Sequence, residues 1–202
     1  MCDFKKELTI NPLPSNSRKG IPISSKILKK RIWLSITGCL ALFVAMGYLL
    51  PEKLAIPVKG GQTSDWNQMT FWYEPWGKSG THKGIDIFAR RGTPLLSATN
   101  GFVIFNGELE MGGRVIAVLG PKWKVHYYAH LESANVSKWS VVKYSQEIGT
   151  IGDSGNAKGK PPHVHYSVIT LLPYFWRWDT STQGWKKIFY LNPSKMLLSK
   201  TD

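Results

Sequence analysis

His163-Val164-His165 stands at the head of a run, residues 163–170, whose apolar and polar residues alternate like those of a strand. In an extended backbone residues i and i+2 share a face, so the two imidazoles lie side by side. Neutral imidazole is the commonest metal ligand in proteins. A polar strand edge gives the same pattern, and the remaining histidines, His82, His126 and His130, decide between the two.

His82 and Asp86 are separated by three residues. A straight strand would hold them about 13 Å apart, too far for one ion whose ligands sit about 2 Å from it. A helix would bring them together, but Gly84 and the β-branched Ile85 and Ile87 disfavour one. A turn at Gly84 leading into a strand solves the geometry, because glycine tolerates unusual backbone angles. Read alone, the segment is better taken as a surface turn with a histidine and a capping aspartate.

Joined by one of the His163/His165 pair, His82 and Asp86 make a set of two imidazoles and one carboxylate. Three protein ligands leave a fourth position for water, as in catalytic rather than structural zinc sites. One carboxylate leaves the site with residual positive charge, so such a water ionises near pH ~7. The other histidine of the pair and His130 are then free to take and return protons. The chain has no HExxH motif and no paired glutamates, which makes histidine the natural general base.

The elements that must position these residues are short. Apolar runs are broken by Asn100-Gly101, Asn106-Gly107, Gly112-Gly113, Gly149, Gly152 and Gly155, with no sustained helical period. That pattern predicts an all-β domain of antiparallel hairpins. Residues 101–106, 114–119, 124–129 and 163–170 are the expected strands, with 95–98 and 147–151 as partners. In such a strand His126, Tyr128 and His130 share one face, so His126 either lines a groove or is an ordinary strand histidine. Residues 171–190 carry Trp176, Trp178 and Trp185 and read as a hairpin, its aromatics bordering the groove, packed on the barrel edge or lying at a membrane interface. A short closing helix is expected from Asn192-Pro193.

The N-terminal region differs in character. Residues 1–31 form a basic tail with eight Lys or Arg, and residues 32–50 run without a charge. Nineteen residues cover about 28 Å as a helix, close to the bilayer core, and predict a transmembrane helix. Six Lys or Arg fall in the 15 residues before it and two in the 15 after it. That asymmetry puts the tail in the cytoplasm and the rest outside, making a single-pass membrane protein with an extracytoplasmic domain. Ile36-Thr37-Gly38-Cys39 also resembles a lipoprotein processing site, but Leu40 to Leu50 would then remain as a greasy mature terminus. Residues 51–62 read as a linker and 63–202 as the domain. The formal charge of +13 suits an anionic partner. The external orientation argues against nucleic acid and leaves an anionic wall polymer and membrane lipid.

His82-x-x-x-Asp86, Gly92-Thr93-Pro94, Ala98-x-x-Gly101-x-Val103, Tyr128-Ala129-His130-Leu131, Ile148-Gly149-x-x-Gly152-x-Ser154-Gly155 and His163-Val164-His165 together resemble the M23 family of zinc metallopeptidases, the LytM and lysostaphin type. The resemblance implies a compact LytM-like β-domain holding one Zn²⁺ through His82, Asp86 and His165. It implies His130 and His163 as catalytic histidines, peptidoglycan stem peptides or cross-bridges as substrate, and cleavage of their peptide cross-links in wall remodelling. A regulatory protein that opens the groove fits the same picture. Val164, Tyr166, Lys138-Trp139 and Tyr144-Ser145 depart from the commoner pattern, the last two pairs at turns where glycine is frequent. Two other readings remain. One is a non-catalytic wall-binding or hydrolase-activating module, against which stands the complete set of five residues. The other is a ferrous oxygenase site, disfavoured by the three-residue spacing and the external placement.

Overall fold

A computed structural model describes residues 25–199. Residues 1–24, most of the basic tail, lie outside the described residues. The chain divides into two units, residues 1–41 and 42–202.

Helix α1 (Ser25–Leu49) begins earlier than the expected span, because Lys26, Lys29, Lys30 and Arg31 continue the helical backbone without entering the apolar stretch. Leu28–Leu49 is long and apolar enough to cross a membrane. Thr37 returns its hydroxyl to the Trp33 carbonyl at 2.8 Å, so this polar side chain is satisfied within the helix.

The sheet of the second unit is antiparallel throughout, as its turn-punctuated apolar runs predict. Its strands are β1 (Ile85–Phe88), β2 (Pro94–Leu96), β3 (Gly101–Leu109), β4 (Gly113–Leu119), β5 (Lys124–Ala134), β6 (Val141–Val142), β7 (Glu147–Ile151), β8 (His163–Thr170) and β9 (Tyr190–Leu191). Their order is β1-β8-β5-β4-β3-β6, with β7 pairing β2 and β5, and β9 pairing β8. Ile85, Ile87, Leu95, Val103, Ile116, Tyr128, Leu131, Ile151, Val164, Tyr166 and Val168 fill the core. Strand alternation then puts the intervening residues of β1, β5 and β8 on the opposite face, where the cleft lies. Helix α2 (Pro193–Leu198) closes the domain with Asn192 as its N-cap, accepting from the Lys195 N–H at 3.3 Å, and proline in its first turn.

Residues 51–62 do not hang free as the linker reading expected. Leu54 and Val58 are buried in the core cluster. Ala55 N–H donates to Ala98, Leu96 N–H to Pro57 and Lys59 N–H to Pro94. The buried carboxylate of Glu52 accepts from Lys124 Nζ at 2.8 and 2.9 Å. The prolines and glycines that suggested a linker instead shape an extended segment laid along β2.

The 171–190 segment is not a hairpin. It folds into two 3-10 turns, Phe175–Arg177 and Gly184–Ile188. The Arg177 guanidinium ties its neck by donating to the carbonyls of Lys187 and Tyr190 at 3.1 and 3.0 Å. Trp139 and Ser145, in the turns on either side of β6, take positive φ, 72° and 60°.

Candidate metal centre and active-site cleft

The register of the central strands assembles the site. β8 lies between β1 and β5, with His165 opposite both Asp86 and Ala129, and Phe88 opposite His163. Directly opposed residues on one face bring their side chains together. His82 arrives from the irregular segment before β1 and is held there by backbone bonds, its own N–H to Tyr73 and Trp72 N–H to its carbonyl. Trp76 stacks on the His82 ring at 4.0 Å. Gly84 has a role other than a strained turn. A Cβ there would lie 2.5 Å from the Tyr166 carbonyl and 2.6 Å from Ser167 Oγ, so glycine is required because the chain passes directly over β8.

Three atoms converge. His82 Nε2 lies 3.0 Å from Asp86 Oδ1 and 3.1 Å from His165 Nδ1, and His165 Nδ1 lies 2.8 Å from Asp86 Oδ1. Ligands about 2.0 Å from a tetrahedral ion sit about 3.3 Å from one another, so this triangle needs only slight opening to hold one metal. The second ring nitrogens are committed. His82 Nδ1–H donates to the Thr70 carbonyl at 3.1 Å. The Ser167 hydroxyl gives its single proton to the Lys83 carbonyl, so at 3.0 Å it can only accept from His165 Nε2–H. In the neutral rings, therefore, lone pairs alone face one another, and a cation among them satisfies all three. Burial would raise Asp86, but its close contacts with the imidazoles of His165 and His82 outweigh that and hold it well below the ordinary range, as a carboxylate. The donor set of two imidazoles and one carboxylate fits zinc, and the carbonyl and hydroxyl behind the rings are the supports that fix ligand orientation.

Beside this cluster, His130 and His163 face each other with ring centroids 5.0 Å apart. His130 Nδ1–H donates to the Ser154 carbonyl at 2.9 Å and His163 Nδ1–H to the Pro161 carbonyl at 2.8 Å. Each ring thereby keeps an Nε2 lone pair with no protein partner among the described residues. Burial, then the charges of His163 and His165, push His130 down to about 4, so it is a neutral base at pH 7.

His130 reaches this position through an irregularity. The β4–β5 register shifts between Arg114 and Ile116, and His130 takes φ 66°, its N–H bonding the Gly112 carbonyl at 2.8 Å. This left-handed bulge breaks the alternation that would have placed His130 with His126 and Tyr128. Those two are fully buried on the core face, and His126 Nδ1 bonds the Tyr166 hydroxyl at 2.7 Å. His126 does not line the cleft.

The cleft, about 810 Å³, is lined by all five candidate residues together with Trp76, Tyr127, Ala129, Ser167 and Tyr190. Trp176, Trp178 and Trp185 are exposed and lie outside its lining, so they do not border it. Sequence reasoning missed Trp76, Thr70 and Ser167 and gave Ser154 no part in holding His130. The aromatic run Phe71, Trp72, Tyr73 and Trp76 before His82 was a readable signal for the first. The carbonyls of Thr70 and Ser154 leave no signal, and Ser167 is one more small polar residue in a strand.

Residues 80–173 match the description Peptidase family M23. The chain is 32% identical over 142 residues to the L-Ala--D-Glu endopeptidase of Bacillus subtilis, covering 66% of this chain and 43% of that protein. It spans less than half the length of the curated relatives it matches first. Among solved structures it resembles the catalytic domain of the antimicrobial peptidase lysostaphin from Staphylococcus simulans, with TM-score 0.50 and 26% identity over 61% of this chain and 85% of that one. It also resembles a Ruminococcus gnavus structure assigned as a glycyl-glycine endopeptidase LytM, with TM-score 0.56 and 25% identity over 89% and 74% of the two chains. By the family match and by its similarity to these proteins, the chain carries a Peptidase family M23 domain over residues 80–173, of the LytM and lysostaphin type.

Proposed function

We propose that this protein is a membrane-anchored zinc metalloendopeptidase that hydrolyses peptide cross-links of peptidoglycan outside the cytoplasmic membrane. The observation that carries the reading is the meeting of three proton-free ligand atoms beside two imidazoles whose Nε2 atoms are unspent. His82 Nε2, Asp86 Oδ1 and His165 Nδ1 would hold zinc, which would supply Lewis-acid chemistry at this point. The residues around it do the rest. Nε2 of His130 or His163 accepts a proton from the attacking water and returns it to the leaving amine. The imidazolium so formed donates its N–H to the charge developing on the carbonyl oxygen. The Ser154 and Pro161 carbonyls keep both rings in the tautomer that permits this.

The apolar length of α1 and the excess of Lys and Arg before it support an uncleaved anchor with an external catalytic domain. The net positive charge that remains in the external part, beyond the basic tail, favours an anionic wall. A non-catalytic binding module would have no need of all five residues, and the complete set favours catalysis.

The test is digestion of purified sacculi by the full chain in detergent, with and without chelator, followed by identification of the released peptides. Release that chelator abolishes and zinc restores is expected. No release by the wild type, or equal release by His163→Ala, would sink the catalytic reading.

A further inference from the structure

The charge of the cleft wall is one-sided. Lys78 and Lys83 enter it from the segment before β1, and Lys160 from the segment before β8. The one carboxylate in the lining is Asp86, whose oxygen is engaged with the histidines. Among the described residues none of the three lysines forms an ion pair with Asp or Glu, whereas Lys122, Lys124 and Lys187 do. Lys83 is also fixed in place. Its half-buried Nζ donates to the Ser79 and Thr81 carbonyls at 3.0 and 3.3 Å, leaving the third ammonium hydrogen for another acceptor. Lys186 adds further positive charge near Lys83.

Cations without counter-charges along the walls of a cleft raise the local concentration of an anionic ligand and repel cationic ones. A neutral oligoglycine offers them nothing in return for lost hydration, whereas a peptide bearing side-chain or α-carboxylates does. We infer that the cleft selects peptides carrying free carboxylates, stem peptides rather than neutral glycine bridges, with Lys83, Lys78 and Lys160 as the specificity-determining residues. The inference rests on the peptidase reading for what becomes of the bound peptide, but the selection itself is a binding property.

The test titrates the full chain in zwitterionic detergent at low salt, following intrinsic tryptophan fluorescence, to which Trp76 in the cleft contributes. The probes are a stem tetrapeptide with free carboxylates, the same peptide fully amidated, and capped triglycine. The acidic peptide should bind roughly five- to tenfold more tightly than its amide, the scale of a partly screened ion pair. The gap should shrink with added salt and disappear in the Lys78→Gln/Lys83→Gln/Lys160→Gln variant. The exposed pair Lys78→Gln/Lys160→Gln should narrow it by itself, which keeps the test open if Lys83→Gln disturbs the fold. Equal affinity for acid and amide, or a gap unchanged in both variants, overturns the inference. Because binding is read without turnover, failure of hydrolysis with the gap intact would overturn the peptidase reading alone.

Discussion

His126 and His130 sit four residues apart on β5 and occupy opposite environments. His126 is sealed in the core against Tyr166, and its Nε2 has no partner among the described residues. Burial, then the charge of Lys124, push its imidazole down to about 3. His130 opens on the cleft with one nitrogen committed to Ser154 and the other free. Both rings are neutral at pH 7, so charge does not distinguish them. What does is one left-handed residue: φ 66° at His130 turns its side chain out of the row that His126 and Tyr128 occupy. A non-glycine residue there costs about 1 kcal/mol or more. The strain is held by bonds on both sides, from His130 N–H to Gly112 and from the Ser154 hydroxyl to the Leu131 carbonyl. Arg91 adds ion pairs to Glu132 and Asp153, tying the strand after the bulge to the loop that carries Ser154.

The largest effect expected is from the convergent cluster. Asp86→Ala should abolish both metal retention and peptide release from sacculi, with the β-fold preserved by circular dichroism. Residual release near the wild-type rate would place the metal elsewhere. His130→Ala should lower release by about 10²–10⁴-fold while zinc content stays intact. His130→Gly should be as inactive but more stable than His130→Ala by roughly 1 kcal/mol, since glycine accepts the left-handed backbone. If the two variants melt together, the bulge is not strained.

His126→Ala should do the reverse, costing about 3 kcal/mol through the lost Tyr166 bond and the cavity, with activity per folded molecule unchanged. Its titration sharpens the contrast. The folded pKa of about 3 lies below the ordinary 6.5, so the unfolded chain binds the extra proton between them. Stability is therefore full above about pH 6.5 and falls toward pH 3, by up to about 1.4 kcal/mol per unit. His130, lowered to about 4, adds to the same trend. Melting temperatures across this window should fall less steeply in His126→Gln than in the wild type. The smallest effect is at Ser145, where φ is 60° far from the histidines in sequence. Ser145→Gly should gain at most about 1 kcal/mol in denaturant titrations and leave hydrolysis unchanged.

The contrast also shows what a sequence can carry. Side-chain alternation is written in residue order, so the strands, the His163/His165 pair and the glycine-rich turns were legible; the turns where Trp139 and Ser145 hold positive φ were read only from the family resemblance. A bulge is set by the register of two strands, and nothing between His126 and His130 announces it. The partners that fix each ring are the carbonyls of Thr70, Ser154 and Pro161, and every residue type has a carbonyl. Gly84 was noticed for the wrong property, its backbone freedom rather than its missing side chain. Residues 51–62 misled through composition, because proline and glycine mark an irregular path whether or not it is packed. The 171–190 segment misled through its tryptophans, whose exposure could not be told from participation in the cleft.

The most direct test of the account is metal content. Zinc bound by the purified full chain, measured by elemental analysis beside His82→Ala, Asp86→Ala, His165→Ala, His130→Ala and His163→Ala, should be one ion per chain in the wild type and in the last two variants, and lost in the first three. Zinc retained by the Asp86 and His165 variants, or lost from the His130 and His163 variants, would contradict the division of roles on which the mechanism stands.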